Sequence, residues 1–292
     1  MRLAHVSDLH ILDLNGVSWK RFASRRIFGG ANLLAHRARE HRPEILEILV
    51  EDLLKEEPDH IVVTGDLSNL ALESEFERVF QLLKLLGGYS RLSVVPGNHD
   101  YYTARAADTR RFEKYFHPFM FKGDFSDLDV DVYPYKKILG DMMLIGLNSA
   151  TRTFPPLSYG TLSDRQLELL EEMLSSRERA SYVTCLFMHH ALHKRDYIKE
   201  STSGLLNRDR FLSMMDEHQV DLVLYGHDHT GQVWRREHKG RHTLYVCCGS
   251  STRLTEDPAT LARYRMITVD HGRIRKVDTR VFDPQSRRFM SE

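Results

Sequence analysis

The sequence predicts an α/β fold in which β-sheets are covered by helices on both outer sides. Two observations lead to this prediction. Short hydrophobic runs typical of strands alternate with segments whose apolar residues recur at helical spacing, and the C-terminal part, residues 230–283, holds strand-like runs without helices. No internal repeat, low-complexity tract or Gly/Ser-rich linker divides the 292 residues. We therefore expect one domain spanning residues 1–292.

Strands are predicted where short hydrophobic runs end in loop-forming residues. Before residue 230 these runs lie at residues 2–7, 60–64, 91–96, 142–149, 181–189 and 220–226. The β-rich C-terminal part adds runs at residues 232–238, 241–248, 264–270 and 273–282. Most of the earlier runs are followed by a helix-like segment, as in βα units.

Helices are predicted from apolar residues at helical spacing over residues 43–57, 72–86, 163–174 and 207–218. Pro43 suits a first helical turn, and Ser163 is a good N-cap. A further segment, residues 110–121, carries aromatic side chains at helical spacing beside basic residues. We expect this segment to be a helix packed in the core.

Composition and charge favour a soluble intracellular protein. Hydrophobic residues make up 41% and charged residues 28% of the chain, as in globular proteins with a sizeable core. The formal net charge of zero argues against a nucleic-acid partner. Cys185, Cys247 and Cys248 lack zinc-ligand spacing and are expected to be reduced, buried thiols. The amino terminus has no signal-peptide pattern and no run approaches a membrane span, so we expect a cytoplasmic location.

Polar side chains follow five of the predicted strands. In chain order they are Asp8 with His10, then Asp66, then Asn98 with His99 and Asp100, then His189 with His190, and finally His227 with His229. Groups beyond the carboxyl ends of strands in open α/β sheets converge on one crevice. Carboxylates, imidazoles and an amide brought together in this way predict a shared metal site.

Each piece of this pattern is a weak signal in isolation. Gly-Asp is a common turn, and paired histidines are usually core or surface residues. His227 and His229 are more specific, because histidines two apart point the same way from extended backbone and can share a metal ion. All five pieces together, each at a strand end, favour a metal site over unrelated structural roles.

The motif series DLH, GD, GNHD, HH and GHDH resembles the calcineurin-like metallophosphoesterase superfamily, with a bacterial phosphodiesterase-type branch as the nearest group. The resemblance implies a four-layer αββα sandwich, with two mixed β-sheets flanked by helices, and a binuclear metal centre. It implies a first ion held by Asp8, His10, Asp66 and His229. It implies a second ion held by Asp66, Asn98, His189 and His227, so that Asp66 bridges the two.

The side-chain chemistry agrees with that implied arrangement. Aspartate offers two oxygens and can bridge two ions, which histidine cannot. Mixed imidazole and carboxylate ligands suit manganese, iron or zinc better than calcium or magnesium, so we expect two divalent or mixed-valence ions of that class. Because adjacent strand residues face opposite sides, only one of His189 and His190 should reach the metal, and the family pattern selects His189.

The resemblance gives His99 a catalytic role, in which it contacts the phosphate or protonates the leaving oxygen while Asp100 orients its imidazole. A neighbouring carboxylate favours the protonated imidazole, which suits a general acid. Asp100 as the N-cap of a helix within residues 101–111 is the competing interpretation. The family often has prolines after its paired histidines, whereas this chain continues towards His193. His193 either lines the substrate pocket or is an exposed loop residue.

Residues 15–42 form a predicted insertion at the rim of the pocket, directly after His10. The segment contains seven Lys or Arg residues and one Glu, with aromatic and aliphatic residues interleaved. Two interpretations stay open: a solvated basic face, or a lid that binds an anionic head group or the anionic inner face of a membrane. In the second interpretation Arg21, Arg25 and Arg26 bind the substrate.

We therefore expect a two-metal hydrolase of phosphate esters. A phosphodiesterase is favoured, in which a metal-bridging hydroxide attacks the phosphate and His99 is the general acid or a phosphate clamp. The alternative substrate class is a nucleotide-linked lipid, cleaved by a pyrophosphohydrolase of the UDP-2,3-diacylglucosamine type. The alternative from another class is a non-catalytic binding scaffold on the same fold. The presence of His99 and of every expected ligand favours the enzyme.

Overall fold

Two six-stranded β-sheets form the centre of the molecule. The computed structural model describes residues 1–15, 40–124, 132–153, 156–193 and 196–292. The strands are β1 (Arg2–Val6), β2 (His60–Val63), β3 (Leu92–Val94), β4 (Tyr135–Leu139), β5 (Met142–Gly146), β6 (Val183–Phe187), β7 (Leu222–Tyr225), β8 (Gln232–His238), β9 (Arg241–Cys247), β10 (Arg263–Asp270), β11 (Arg273–Asp283) and β12 (Arg288–Ser291).

Helices connect most of the parallel strands. They are α1 (Pro43–Glu56), α2 (Glu73–Lys84), α3 (Ala104–Asp108), α4 (Arg111–Met120), α5 (Asp164–Ser175), α6 (Tyr197–Ser203) and α7 (Arg208–His218), with a 3-10 turn at Arg177–Ser181. None of the helices in the described part of the chain combines the length and the apolar character that crossing a bilayer requires.

Both sheets are mixed. The first has the order β12-β11-β10-β1-β2-β3, and the second has the order β4-β5-β6-β7-β9-β8. In the first sheet β1, β2 and β3 are parallel, and in the second β5, β6, β7 and β9 are parallel. The remaining neighbours are antiparallel. Parallel strands end at the same edge of a sheet, so each sheet presents several strand ends side by side.

Alternating side chains of β5 show how the layers are filled. Met142 and Leu144 belong to the apolar cluster shared with β1 and β2 of the other sheet. Met143 and Ile145 belong to a second cluster, formed with α5 and α7. This alternation places one face of the second sheet against the first sheet and the other face against helices. The expected two mixed sheets with flanking helices are confirmed.

The helices begin and bury their side chains as their sequences predict. Pro43 is the first residue of α1. The Ser163 hydroxyl accepts a hydrogen bond from the Gln166 amide at the start of α5, at 3.2 Å. The aromatic face of α4 is buried, including Phe112 and Phe116, which confirms that this segment packs in the core. β4 and β12 were not predicted, and the single-domain assignment stays a prediction.

Candidate metal centre

Loops from five strand ends bring the seven expected ligands to one place. In chain order these are Asp8 and His10 after β1, Asp66 after β2, Asn98 after β3, His189 after β6, and His227 and His229 after β7. The first five are buried, and the last two are half-buried. Each sheet therefore supplies part of one shared cluster.

The loops reach this cluster through unusual backbone angles. Positive φ angles, from 46° to 76°, occur at Asp8, His10, Asp66, His227 and His229. Residues other than glycine rarely adopt this region, and such strained residues concentrate at functional sites.

Two glycines allow the carboxylates to approach the backbone closely. A Cβ atom on Gly97 would collide with Oδ1 of Asp66, and one on Gly226 would collide with Oδ2 of Asp8. Both positions therefore require glycine for the ligands to keep their places.

One half of the cluster surrounds His10. Its Nε2 lies 2.9 Å from Nε2 of His229, 3.5 Å from Oδ2 of Asp66 and 3.8 Å from Oδ1 of Asp8. Nε2 of His229 lies 3.5 Å from the same Asp8 oxygen. Ligands at about 2.0–2.2 Å from one ion lie about 3–4 Å from each other, so these spacings fit a single metal ion.

The other half surrounds His189. Its Nε2 lies 3.4 Å from Oδ2 of Asp66, 3.1 Å from Oδ1 of Asn98 and 3.2 Å from Nδ1 of His227. Oδ1 of Asn98 is also 3.1 Å from Nδ1 of His227. Oδ2 of Asp66 belongs to both halves, which is the position that a bridging ligand requires.

Outer hydrogen bonds fix which nitrogen of two ligand histidines faces the cluster. Nδ1 of His189 donates to the Thr64 carbonyl at 2.8 Å, and Nε2 of His227 donates to the Ser203 carbonyl at 2.7 Å. In the neutral rings, the opposite nitrogens carry lone pairs that face each other at 3.2 Å. Two such lone pairs repel unless a proton on one ring or a metal ion lies between them, and metal ligands must be unprotonated, so the donor set fits a metal ion.

The carboxylates in this cluster are ionised although they are buried. Burial alone would raise the pKa of Asp8 and of Asp66, but the neighbouring histidines hold both well below the usual range. Burial would lower the pKa of His189, yet Asp66 raises it to about 9. In the described part of the chain, the ion-pair partners of Asp8 and Asp66 are histidines alone. Two buried negative charges without a Lys or Arg partner are a suitable environment for divalent cations.

His99 lies beside the cluster and lines the cavity in front of it. Nδ1 of its ring donates to the Asn69 carbonyl at 2.8 Å, and the ring stands edge-on to His10 with the centroids 4.8 Å apart. The main-chain amide of His99 donates to Oδ1 of Asp66 at 2.8 Å, which leaves Oδ2 for the cluster. The neighbouring residues thus fix both the His99 ring and the Asp66 carboxylate.

Asp100 does not have the partner expected from the sequence. Its Oδ1 accepts hydrogen bonds from the amide and hydroxyl of Ser68, at 2.9 and 2.8 Å. Its Oδ2 accepts from the amides of Gly97 and Leu67, at 2.9 and 3.2 Å. The Asn69 carbonyl, rather than Asp100, therefore orients the His99 ring, because the Asp100 carboxylate joins the loops after β2 and β3.

The helix that follows also begins without Asp100. Thr103 is the N-cap residue of α3, and its hydroxyl accepts from the Ala106 amide at 3.1 Å. The competing interpretation of Asp100 as an N-cap is therefore wrong as well.

A cavity of about 500 Å³ lies in front of the cluster. Beyond the expected ligands and His99, its wall is formed by Ser158, His193, Asp196, Lys199, Ser203, Asp228, Thr230, Gln232 and Arg253. Nε2 of His193 lies 2.6 Å from Oδ2 of Asp228, and its Nδ1 lies 3.1 Å from the Tyr225 hydroxyl. His193 thus lies in the cavity wall and not on an exposed loop.

Two further histidines, His190 and His41, lie beside the expected ligands. The ring of His190 packs 4.8 Å from that of His227, but its nitrogens face other partners, with Nδ1 2.8 Å from the Ser149 hydroxyl and Nε2 3.1 Å from the Ser158 carbonyl. This agrees with the choice of His189. His41, in contrast, was not singled out, yet its ring centroid is 4.5 Å from that of His10. Its position at the end of the basic insertion is the one sequence feature that could have indicated a role for His41.

Three expected substrate-binding residues, Arg21, Arg25 and Arg26, lie outside the described residues, as does most of residues 15–42. Their role stays a prediction.

Curated relatives match the chain at low identity. The chain is 28% identical over 179 residues to a probable glycerophosphodiester phosphodiesterase of Arcobacter nitrofigilis, a match that covers 60% of this chain and 58% of the relative. It is 24% identical over 238 residues to a probable cyclic nucleotide phosphodiesterase of Coxiella burnetii, covering 78% of this chain and 76% of the relative. The first match thus spans less than two thirds of that relative's length.

Comparison with solved structures supports the fold. A dimetal phosphatase from Danio rerio superposes with a TM-score of 0.63 at 16% identity, over 96% of this chain and 95% of the other. The family model for calcineurin-like phosphoesterase matches residues 1–231, which contain all seven expected ligands. The chain belongs to the calcineurin-like phosphoesterase family.

Proposed function

We propose that this protein is a metal-dependent phosphoesterase that hydrolyses phosphodiesters. The observation that carries the proposal is the paired donor set, in which Oδ2 of Asp66 lies 3.5 Å from Nε2 of His10 and 3.4 Å from Nε2 of His189. Two divalent ions of the manganese, iron or zinc class, bound by this set, would polarise a phosphoryl oxygen and supply a nucleophile at neutral pH.

The chain's own residues position the substrate and move the proton. Since Nδ1 of His99 is held by the Asn69 carbonyl, Nε2 is the atom that can hydrogen-bond a phosphoryl oxygen or protonate the leaving oxygen. His193, fixed between Asp228 and Tyr225, presents a second ring in the cavity wall. We propose it as a contact for the part of the substrate beyond the phosphate.

The charges of the cavity wall favour a diester over a monoester. Lys199 lies 3.8 Å from the Asp196 carboxylate, and Arg253 lies 3.1 Å from that of Glu40. Both cations are therefore already balanced by a neighbouring carboxylate. A monoester brings up to two negative charges to the metals and a diester brings one, so a wall whose described residues carry no surplus positive charge suits the diester. The names of the curated relatives point in the same direction.

A substrate panel tests the proposal. Protein reconstituted with manganese, iron or zinc is assayed on nitrophenyl monoesters, nitrophenyl diesters and a nucleoside diphosphate ester, together with its metal content. We expect two ions per chain and the highest kcat/KM on diesters. A preference for monoesters would overturn the phosphodiesterase assignment. Two bound ions with no turnover on any ester would instead indicate a non-catalytic scaffold.

A nucleotide-linked lipid is the second candidate substrate. The basic and apolar composition of residues 15–42 favours it, because an anionic head group and acyl chains would be bound together. The same segment would bring the protein to the anionic inner face of a membrane. Cleavage of the nucleoside diphosphate ester in the panel, with little activity on diesters, would favour this candidate.

A further inference from the structure

His41 is a buried histidine beside one half of the cluster. Its ring centroid lies 4.5 Å from that of His10 and 5.2 Å from that of His229, and the residue is 2% exposed. A backbone bridge pairs His41 with Arg253, and the Arg42 amide donates to the Thr252 carbonyl at 3.1 Å. The main chain therefore fixes the ring against the loop that follows β9.

The hydrogen bonds around His41 determine its tautomer. Its Nδ1 lies 3.2 Å from the Thr252 hydroxyl and 3.3 Å from the Ser250 hydroxyl. Thr252 donates its hydroxyl hydrogen to the Leu9 carbonyl at 2.6 Å, and Ser250 donates its own to the Asp8 carbonyl at 2.7 Å. Since both hydroxyl hydrogens are already used, both oxygens can only accept from His41. Nδ1 therefore carries the ring hydrogen, and Nε2 of the neutral ring carries a lone pair.

That lone pair has no hydrogen-bond partner among the described residues. Nε2 of His41 is buried, and leaving such an atom unsatisfied is costly. One nitrogen from each of the His10, His41 and His229 rings lies within 4.8 Å of the other two. Since Nδ1 of His41 is occupied by the two hydroxyls, Nε2 is the nitrogen available to an ion beside His10 and His229.

We propose that His41 is an additional ligand, through Nε2, of the ion held by Asp8, His10, Asp66 and His229. This inference rests on the metal binding in the proposed function, and not on the reaction. The ion would then have five protein donors, three nitrogens and two carboxylate oxygens. The other ion would keep four protein donors from Asp66, Asn98, His189 and His227. Five protein donors exceed the four of a tetrahedral zinc site, so the two positions would differ in the metals they prefer.

Two substitutions separate the roles of the two ring nitrogens. His41→Asn keeps an N–H donor near the Nδ1 position for Ser250 and Thr252 but removes Nε2. His41→Gln places an amide near the Nε2 position and provides a second variant if the first is unstable. His60→Gln is the matched control, because His60 is equally buried but has both nitrogens paired, with Ser90 and Ser93.

The test uses full-length protein loaded with Co(II). The Nδ1 hydrogen of a cobalt-bound His41 would give a strongly shifted exchangeable proton signal, protected by the two hydroxyls. We expect His41→Asn and His41→Gln to lose this signal. We also expect both variants to raise the Kd of one of the two cobalt ions by at least about 10-fold, because losing even a residue that only supports a ligand costs that much. His60→Gln should match the wild type in both measurements.

The results separate this inference from the proposed function. The inference would be overturned if both His41 variants kept every shifted signal. If the signals were unchanged but cobalt bound more weakly, His41 would be a positioning residue and not a ligand. A wild type that binds two cobalt ions without a His41 signal would overturn the inference alone. A wild type that binds no cobalt would overturn the metal centre as well.

Discussion

Nε2 of His99 is the ring nitrogen that we propose as the proton donor to the leaving oxygen, because Nδ1 donates to the Asn69 carbonyl. A nitrophenolate leaves without a proton, whereas a sugar or glycerol alkoxide needs one. We expect His99→Ala to reduce kcat/KM by about 100- to 10,000-fold on alkyl diesters, and by much less on nitrophenyl diesters. The comparison is made at equal metal content. Equal losses on both substrates would leave His99 only the role of a phosphate clamp.

Asp100 provides a second test at the residue scale. Its carboxylate accepts four hydrogen bonds from three residues in the loops after β2 and β3. In Asp100→Asn the amide nitrogen would face an N–H donor, so we expect the free energy of unfolding to fall by about 1–3 kcal/mol. The exposed Asp108→Asn is the control in urea denaturation. A shifted pH–rate profile with unchanged stability would show instead that Asp100 acts on the His99 ring.

At the scale of elements, the strand ends were predictable and the loop contacts were not. Hydrophobic runs locate β1, β2 and β3 to within one or two residues, and the polar residues that follow them are the ones that meet. β4 was missed because it alternates buried and exposed residues, without a clear hydrophobic run.

The unpredicted contacts share a physical cause. The Asn69 and Ser203 carbonyls orient His99 and His227, but a main-chain carbonyl has no signature in the sequence. His41 approaches His10 only because its backbone pairs with Arg253, far along the chain. The family resemblance likewise made Asp100 the expected partner of the His99 ring, while its side chain is directed at Ser68 and Gly97.

Glu75, in the first turn of α2, allows a test of how a buried carboxyl affects stability. Oε2 of this buried carboxyl accepts from the amides of Leu70 and Leu72 at 2.9 and 3.0 Å, and burial raises its pKa from 4.5 to about 8. Between these two pH values only the unfolded chain has lost the proton, so the contribution of Glu75 to stability falls as pH rises. Glu75→Gln should therefore gain stability relative to the wild type from pH 5 to 8, by on the order of 1 kcal/mol per pH unit.

Urea denaturation at several pH values measures this difference. Glu73→Gln is the control, since Glu73 lies in the same turn with an exposed side chain paired to Arg111. A difference between Glu75→Gln and the wild type that does not change with pH would contradict the raised pKa.

At the scale of the whole molecule, the prediction of membrane contact concerns residues 15–42, which precede α1 in the sequence. We expect the combined change of Arg21, Arg25 and Arg26 to Glu to spare hydrolysis of small nitrophenyl esters but to weaken binding to anionic liposomes at low salt. The control variant changes Arg273, Arg275 and Lys276 on β11 to Glu, which alters the net charge by the same amount at a different place on the protein. Equal liposome binding by the wild type and both variants would identify the segment as a solvated basic face.

Asp66 joins the contributions of the two sheets, because its Oδ2 lies 3.5 Å from Nε2 of His10 and 3.4 Å from Nε2 of His189. The metal content per chain of the wild type and of Asp66→Asn therefore tests the two-metal centre most directly. We expect two ions per wild-type chain, and weakened binding of both ions in Asp66→Asn with near-complete loss of turnover. A wild type that binds a single ion, or an Asp66→Asn variant that keeps two ions and near-normal turnover, would contradict the two-metal centre.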